Sequence, residues 1–275
     1  QFLSNLYSVD ALIHVIRCFE NKDITHVDKV ISPVNDIEII ETELLLSDLS
    51  KIENIIENLQ KKNKGKIIDQ ELMSSLESAK TTLENGSLLK DNKNLKDSVI
   101  LNNYNLLTNK PVIYVCNVDE NSVVNGNDLS NQVEKYAKNK ETKVLKISAG
   151  IESEIAIIES ENEKKEFLAT IGLNETSLSK LIKEGSELLD LITFFTSGEK
   201  ESRAWSCKKG TLAPDAGAKI HTDFKKGFIK AEVIGYFDFV NHGGEQNCKE
   251  KGKLRLEGKE YVVEDGDIIH FKFNL

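Results

Sequence analysis

The sequence predicts an α/β protein: a parallel sheet interrupted by an inserted antiparallel helical hairpin, followed by a small, mainly β C-terminal domain. Three observations carry this reading. Short β-branched apolar runs recur with a helical stretch between two of them. A heptad-like seam of leucines and isoleucines separates the first run from the second. From residue 191 onward the pattern changes to short alternating runs punctuated by glycine.

Phe2, Leu3 and Leu6 share one face of a short helix. Ala11-Leu12-Ile13-His14-Val15-Ile16-Arg17-Cys18 then reads as a strand buried on both faces, as in a parallel sheet. Pro111-Val112-Ile113-Tyr114-Val115-Cys116 reads the same way, and so does Lys143-Val144-Leu145-Lys146-Ile147. Between the last two lies a polar helix near Ser130 to Lys140. Strand, helix, strand marks a parallel α/β unit.

Leu45, Leu49, Ile52, Ile56 and Leu59 are spaced 4, 3, 4, 3, and Leu72, Leu76, Ala79 and Leu83 repeat 4, 3, 4. This is an apolar seam on two helices. The break between them holds Lys61, Lys62, Asn63, Lys64, Gly65 and Lys66, which suits a turn, and Gly86-Ser87 offers a helix stop. The basic tip is either a solvated loop or a contact for an anionic partner. Residues 1–40 and 97–190 therefore form the α/β part, 41–96 the hairpin, and 191–275 the C-terminal domain.

Leu191-Ile192-Thr193-Phe194-Phe195-Thr196 opens that domain and leads into the turn Ser197-Gly198. Arg203–Cys207, Phe228–Ile234, Tyr261-Val262-Val263 and Ile268–Phe273 follow as strand candidates, separated by Gly210, Gly217, Gly227, Gly243-Gly244, Gly258 and Gly266.

Charge and cysteine usage bound the function. Lys and Arg number 36 against 45 Asp and Glu, so the net charge of −9 argues against a general polyanion binder. Cys18, Cys116, Cys207 and Cys248 are far apart and show no metal-ligand spacing, so they read as four reduced thiols of a cytoplasmic protein. No run approaches the ~18 apolar residues of a membrane span. The start at Gln1 shows no secretory signal and no initiator Met, as expected of a fragment. His221 and Trp205 read as structural residues of the C-terminal domain, and Cys18 as buried.

Asn117-Val118-Asp119-Glu120 is the most informative segment. It follows directly on a buried strand, and ligands of open parallel sheets bind beyond the carboxyl ends of the strands. By itself it reads first as an ordinary polar loop. With Ser148-Ala149 closing the next strand, it reads as a purine-base site of the Asn-Lys-x-Asp kind. Val in place of Lys and Glu in place of Asp both weaken discrimination for guanine.

These residues, with Arg17-Cys18-Phe19-Glu20, Ile24-Thr25-His26-Val27, Asp36-Ile37-Glu38-Ile39, Glu199-Lys200-Glu201, Arg203-Ala204-Trp205, His221-Thr222-Asp223-Phe224, Leu254–Lys259, Asp265-Gly266-Asp267 and His270-Phe271, resemble the YchF/Obg-like ATPases, a branch of the translation-factor class of P-loop NTPases. The resemblance covers essentially the whole chain. It implies that the sheet is the remnant of a P-loop NTPase domain. It also implies that the C-terminal domain is a TGS domain of the ubiquitin-like β-grasp type.

The implied activity is ATP hydrolysis in preference to GTP, with Mg²⁺, by a cytoplasmic protein bound to the ribosome, expected at the large subunit. The hairpin tip and the TGS domain are the expected RNA contacts. Carried over by position, Asn117, Val118 (through its backbone) and Glu120 lie on one side of the base, and Ser148 and Ala149 on the other. Gly150 stands where many relatives carry Lys. The 275 residues hold no Gly-x-x-x-x-Gly-Lys-Ser/Thr phosphate loop and no Asp-x-x-Gly segment, which in the family lie ahead of the position matching Gln1. The expectation is therefore that this chain alone does not hydrolyse ATP and carries neither catalytic residues nor Mg²⁺ ligands. It also follows that the first strand has an unpaired edge, which favours association or disorder. Two alternatives stay open: a ribosome-, RNA- or protein-binding module with a vestigial nucleotide site, and a stress regulator with sensor cysteines.

Overall fold

The computed structural model describes residues 2–21, 30–62, 69–198 and 201–274. The segments Ile24–Val27, Asn63–Lys66 and Glu199-Lys200 named above lie outside the described residues. The chain divides into two compact units, Gln1–Gly185 and Ser186–Leu275.

In the first unit a short helix α1 (Phe2–Leu6) precedes β1 (Leu12–Cys18), which pairs in parallel with β2 (Val112–Val118) from Leu12↔Val112 to Cys18↔Val118. On its other side β2 pairs in parallel with β3 (Lys143–Ile147), Asn117 opposite Ile147. The sheet order among the described residues is β1-β2-β3. The three strands fall where the apolar runs predict them, but burial on both faces holds for β2 alone. Ile113, Tyr114, Val115 and Cys116 are all buried, whereas Ile13 and Val15 of β1 are 53% and 59% exposed. The residues of β3 are exposed or half-buried. The physical reason is position: among the described residues β2 is central, while β1 and β3 flank it, and β1 alternates more covered with less covered side chains.

Helix α2 (Pro33–Lys62) starts with Pro at its first position, where the missing N–H costs nothing. It is continuous for 30 residues, through position 41. Its first turns pack Ile37 into the sheet core beside Ile16, Cys18, Tyr114, Cys116 and Val118. Its later turns pack against α3 (Gln70–Glu84), whose start is capped by Asp69 accepting from the Glu71 and Leu72 N–H groups. Ile52, Leu76, Ala79 and Leu83 are fully buried, with Leu45, Leu49, Ile56, Leu59 and Leu72 packed around them, so the heptad reading of the hairpin holds. The root of the hairpin is closed by Leu89, Leu95, Leu101 and Leu106, carried on short turns and on α4 (Val99–Asn102). There the buried Asp48 carboxylate accepts from the Leu107 N–H (3.0 Å), the Thr108 N–H (2.7 Å) and the Thr108 hydroxyl (2.7 Å). Burial pushes the Asp48 carboxyl up, against these hydrogen bonds.

Helix α5 (Asp128–Asn139) links β2 to β3 as expected and buries Val133 and Ala137 against the sheet. After β3 come α6 (Ala149–Ile157), α7 (Glu161–Thr170) and α8 (Ser177–Leu188).

Among its described residues the second unit holds a mixed five-stranded sheet, order β5-β4-β8-β6-β7. Its strands are β4 (Leu191–Ser197), β5 (Ser202–Lys208), β6 (Phe228–Gly235), β7 (Arg255–Glu257) and β8 (Asp267–Phe273). β4 and β8 run parallel, and the other neighbours antiparallel. Helices α9 (Ala213–Ile220) and α10 (Thr222–Lys226) cover the face that carries Phe194, Ala231, Val233, Ile269 and Phe271. Gly217 permits the approach of α9, because a Cβ there would lie 3.2 Å from Phe224 Cβ and 3.3 Å from the Phe271 ring. Between β6 and β7 lie α11 (Tyr236–His242) and α12 (Glu245–Glu250).

Tyr261-Val262-Val263, expected as a strand, forms a single isolated bridge between Val262 and Leu212. Two backbone bonds make that bridge, one of them from the Val263 N–H to the Thr211 carbonyl at 3.0 Å. The Tyr261 carbonyl accepts from the Ala213 N–H, and the Tyr261 hydroxyl donates to the buried Asp267 at 2.6 Å. Asp267 also accepts from the Glu264 N–H (2.9 Å) and from Arg255 (3.2 Å). The Arg255 and Asp267 motifs of the sequence are thus one structural knot.

Candidate nucleotide-binding site

The carboxyl ends of β2 and β3 are adjacent, and the loops leaving them are joined by one side chain. Asn117 Oδ1 accepts a hydrogen bond from the Ala149 N–H at 3.1 Å. Asn117 stands at the end of β2, and Ser148 and Ala149 follow directly on β3, so the bond fixes the spacing of the two loops. Ser148 is buried, at the N-cap position of α6, and its carbonyl accepts from the Glu152 N–H. Ala149 opens α6, whose first-turn N–H groups carry a partial positive charge.

Val118 is buried with its side chain in the sheet core, in register with Cys18, so any contact it makes with a ligand is through its backbone. Glu120 is exposed and lies beside Gly150: a Cβ at position 150 would stand 3.0 Å from Glu120 Oε1. Larger residues at 150 therefore require the Glu120 side chain to move. Asn117, Val118, Glu120, Ser148 and Ala149 thus come together at one end of the sheet.

The neighbouring Asp119 is occupied structurally. It accepts from the Ser122 hydroxyl (2.8 Å) and the Asn121 N–H (3.1 Å), and the Ser122 hydrogen bond leads the effects that hold its carboxyl below the ordinary value.

Two residues that sequence reasoning passed over organise the surroundings. Asn127 Nδ2 donates to the Cys18 carbonyl at 2.7 Å and approaches Asp119 Oδ2 at 3.4 Å, while its Oδ1 caps α5 through the Ser130 N–H at 3.0 Å. It thereby ties the ends of β1 and β2 to the helix that follows. Its signal was a capping box, Asn127 with Ser130 three residues on, whose Ser130 hydroxyl returns to the Asn127 N–H. Gly126 just before it has φ +76°, and a Cβ there would lie 2.7 Å from Ser130 Oγ.

Glu41 of α2 is the second. It accepts from the Tyr114 hydroxyl (2.5 Å), the Tyr136 hydroxyl (2.9 Å) and Lys140 (2.5 Å), joining α2, β2 and α5. Burial raises its carboxyl, but hydrogen bonds from Lys140 and Tyr114 more than offset that, leaving it below its ordinary value. It lines a mainly apolar cavity of about 360 Å³ with Leu12, His14, Leu44, Val112 and Tyr114, away from the base-side loops.

His221 takes the structural role expected: Nδ1 accepts from the Asp223 N–H and caps α10. Trp205 packs against the core, donates to Thr196 Oγ1 at 3.0 Å and carries the Arg203 guanidinium over its ring. Cys18, Cys116, Cys207 and Cys248 are free and buried. A hydrogen bond with Cys18, followed by burial, raises the Cys116 thiol far above its ordinary value, a state unsuited to thiolate chemistry. Among the described residues no helix is long and apolar enough to cross a membrane.

Residues 191–274 match the family profile YchF-GTPase_C, described as a protein of unknown function (DUF933). Over its whole length the chain is 47% identical to the ribosome-binding ATPase YchF of Haemophilus ducreyi and covers 76% of that protein. It is 42% identical to the proteins of that name from Escherichia coli O157:H7 and Bacillus subtilis, again covering 76% of each. Among solved structures, that of the Schizosaccharomyces pombe YchF GTPase superposes with a TM-score of 0.86 at 32% identity, over 98% of this chain and 74% of that one. A GTP-binding protein from Pyrococcus horikoshii OT3 shares the fold, with a TM-score of 0.62 at 18% identity, over 100% of this chain and 81% of the other.

Proposed function

The chain belongs to the YchF family, and on that premise we propose that it is the base-reading and partner-binding portion of an Obg-like ATPase that binds ATP in preference to GTP and associates with the ribosome. The supporting observation is the bond from the Ala149 N–H to Asn117 Oδ1, which braces the two strand-end loops against each other. In this reading a purine sits between those loops. Glu120 and the backbone near Val118 face one edge, and Ser148 and Ala149 face the other. Glu120 is one methylene longer than the Asp that pairs with guanine, and Val118 offers no aliphatic lysine stem to cover the base. Both departures favour adenine through backbone recognition.

The residues fit the base half of the nucleotide. For the triphosphate and Mg²⁺ they do not: the 275 residues contain no phosphate-cradling loop and no hydroxyl placed by one for a metal. No hydrolytic step is therefore assigned to this chain. We take residues 1–40 and 97–190 as the nucleotide-binding part, 41–96 as a hairpin with a basic tip, and 191–275 as a β-grasp TGS domain. The large ribosomal subunit, reached through tip and TGS domain, is the proposed partner, in the cytoplasm.

The test has two arms on the 275-residue chain. Saturation-transfer NMR should detect adenosine more strongly than guanosine, and Asn117→Ala should abolish the difference. Radiolabelled ATP should show no turnover. Equal guanosine contact overturns the base assignment, and hydrolysis at family rates overturns the predicted inactivity.

A further inference from the structure

The face of the second sheet opposite its α9/α10 core carries a convergence of ligating side chains. Glu232 on β6 and His270 on β8 are direct cross-strand partners, so their Cβ atoms lie roughly 4.5–5.5 Å apart on one face. Glu245 comes to them from outside the sheet. It is the first residue of α12, and two successive glycines turn the chain there: Gly243 at φ +74° and Gly244 at φ +125°. Side-chain residues rarely adopt such angles, so the entry of α12 over this face is built into the sequence. The ligand atoms of Glu232, Glu245 and His270 all lie within 4.8 Å of one another. They line a recess of about 10 Å³ over Ile234, Leu254 and Ile268, about the volume that holds a single water or ion.

A cation already addresses this position. Lys272 Nζ stands 3.4 Å from a Glu232 oxygen and 3.3 Å from His270 Nε2. An ammonium only donates, so Nε2 presents its lone pair to it. Lys230, the cross-strand partner of Lys272, stands 3.9 Å from the other Glu232 oxygen. The two lysines flank the row and compete for Glu232, while the imidazole and Glu245 face the recess.

We propose that Glu232, Glu245 and His270 form a binding site for a divalent first-row transition ion of the Zn²⁺ type, which replaces Lys272 and clips α12 to the sheet. One imidazole and two carboxylates, with water completing the shell, are a zinc-type donor set. Mg²⁺ and Ca²⁺ prefer shells made wholly of oxygen. An imidazole ligates a metal only through an unprotonated nitrogen.

Zn²⁺ titrated calorimetrically into the 275-residue chain should give saturable 1:1 binding. Glu245→Gln and His270→Gln should each weaken it about tenfold or more, with unchanged circular dichroism because both side chains are exposed. Cys248→Ser, in the same helix, should leave it intact, and Lys272→Met should tighten it. Absence of saturable binding, binding unaltered in both ligand variants, or loss in Cys248→Ser overturns the assignment.

Discussion

Replacing Glu41 by Ala removes one carboxylate that three elements share. The Tyr114 hydroxyl loses its partner on a residue only 1% exposed, which costs about 1–3 kcal/mol. The Tyr136 hydroxyl is part-buried and recovers some hydration, at about 0.5–1.5 kcal/mol. Lys140, 23% exposed at its side chain, still has Asp91 at 4.0 Å, so its loss adds no more than about 1 kcal/mol. Together these come to about 1.5–5.5 kcal/mol, a large share of the roughly 5–15 kcal/mol that holds a domain together. Urea unfolding at pH 7 should show the midpoint lowered with the slope unchanged.

The pH dependence supplies the sign. The Glu41 carboxyl titrates below its ordinary 4.5 in the folded state, so its ionised contribution is fully present above that value. It is lost as pH falls through the depressed value. The stability gap between wild type and Glu41→Gln should accordingly be full at pH 7 and narrow under acid. Coupling with Tyr114→Phe should make the double variant less damaged than the sum of the single ones. Coincident midpoints at pH 7, or a gap that widens under acid, would refute the reasoning.

Asn127→Ala removes the α5 cap and the donation to Cys18, so a loss of about 1–2 kcal/mol is expected. Faster amide exchange should appear across 119–126, whereas Asn127→Asp should keep the cap but lose the tie to β1 and set a second carboxylate against Asp119. In the second unit, Asp267→Asn turns an amide donor toward groups that already donate from Tyr261, Glu264 and Arg255. It should destabilise that unit by about 2–4 kcal/mol, seen as faster exchange at Glu264–Asp267. Protection equal to wild type would show that the knot is dispensable.

The sequence carried the parts of the fold that depend on periodicity. β2 was legible because every residue from Ile113 to Cys116 is apolar, as a central parallel strand requires. The hairpin was legible because Leu45, Ile52 and Leu59 on one helix, and Leu76 and Leu83 on the other, repeat at seven-residue spacing. The exposure of Ile13 and Val15 was not legible, since an apolar run looks alike at the centre and the flank of a sheet. Three-residue β7 is too short to show alternation, and Tyr261–Val263 alternates like a strand although its hydrogen bonds go to a helix start and to Asp267. At the candidate site, Asn117 stood out because it follows a buried strand. Asn127 and Glu41 did not, because their partners are set by tertiary contact: Cys18 lies 109 residues from Asn127, and Tyr114 lies 73 residues from Glu41.

The unbroken course of α2 has a mechanical meaning. Thirty residues at 1.5 Å each make a rod about 45 Å long. Near one end Glu41 bolts it to the same β2 strand that terminates in Asn117. A load applied at the far end is delivered as torque at that bolt, so a bulky body gripping the hairpin holds a lever on the strand whose tip braces the Ala149 loop.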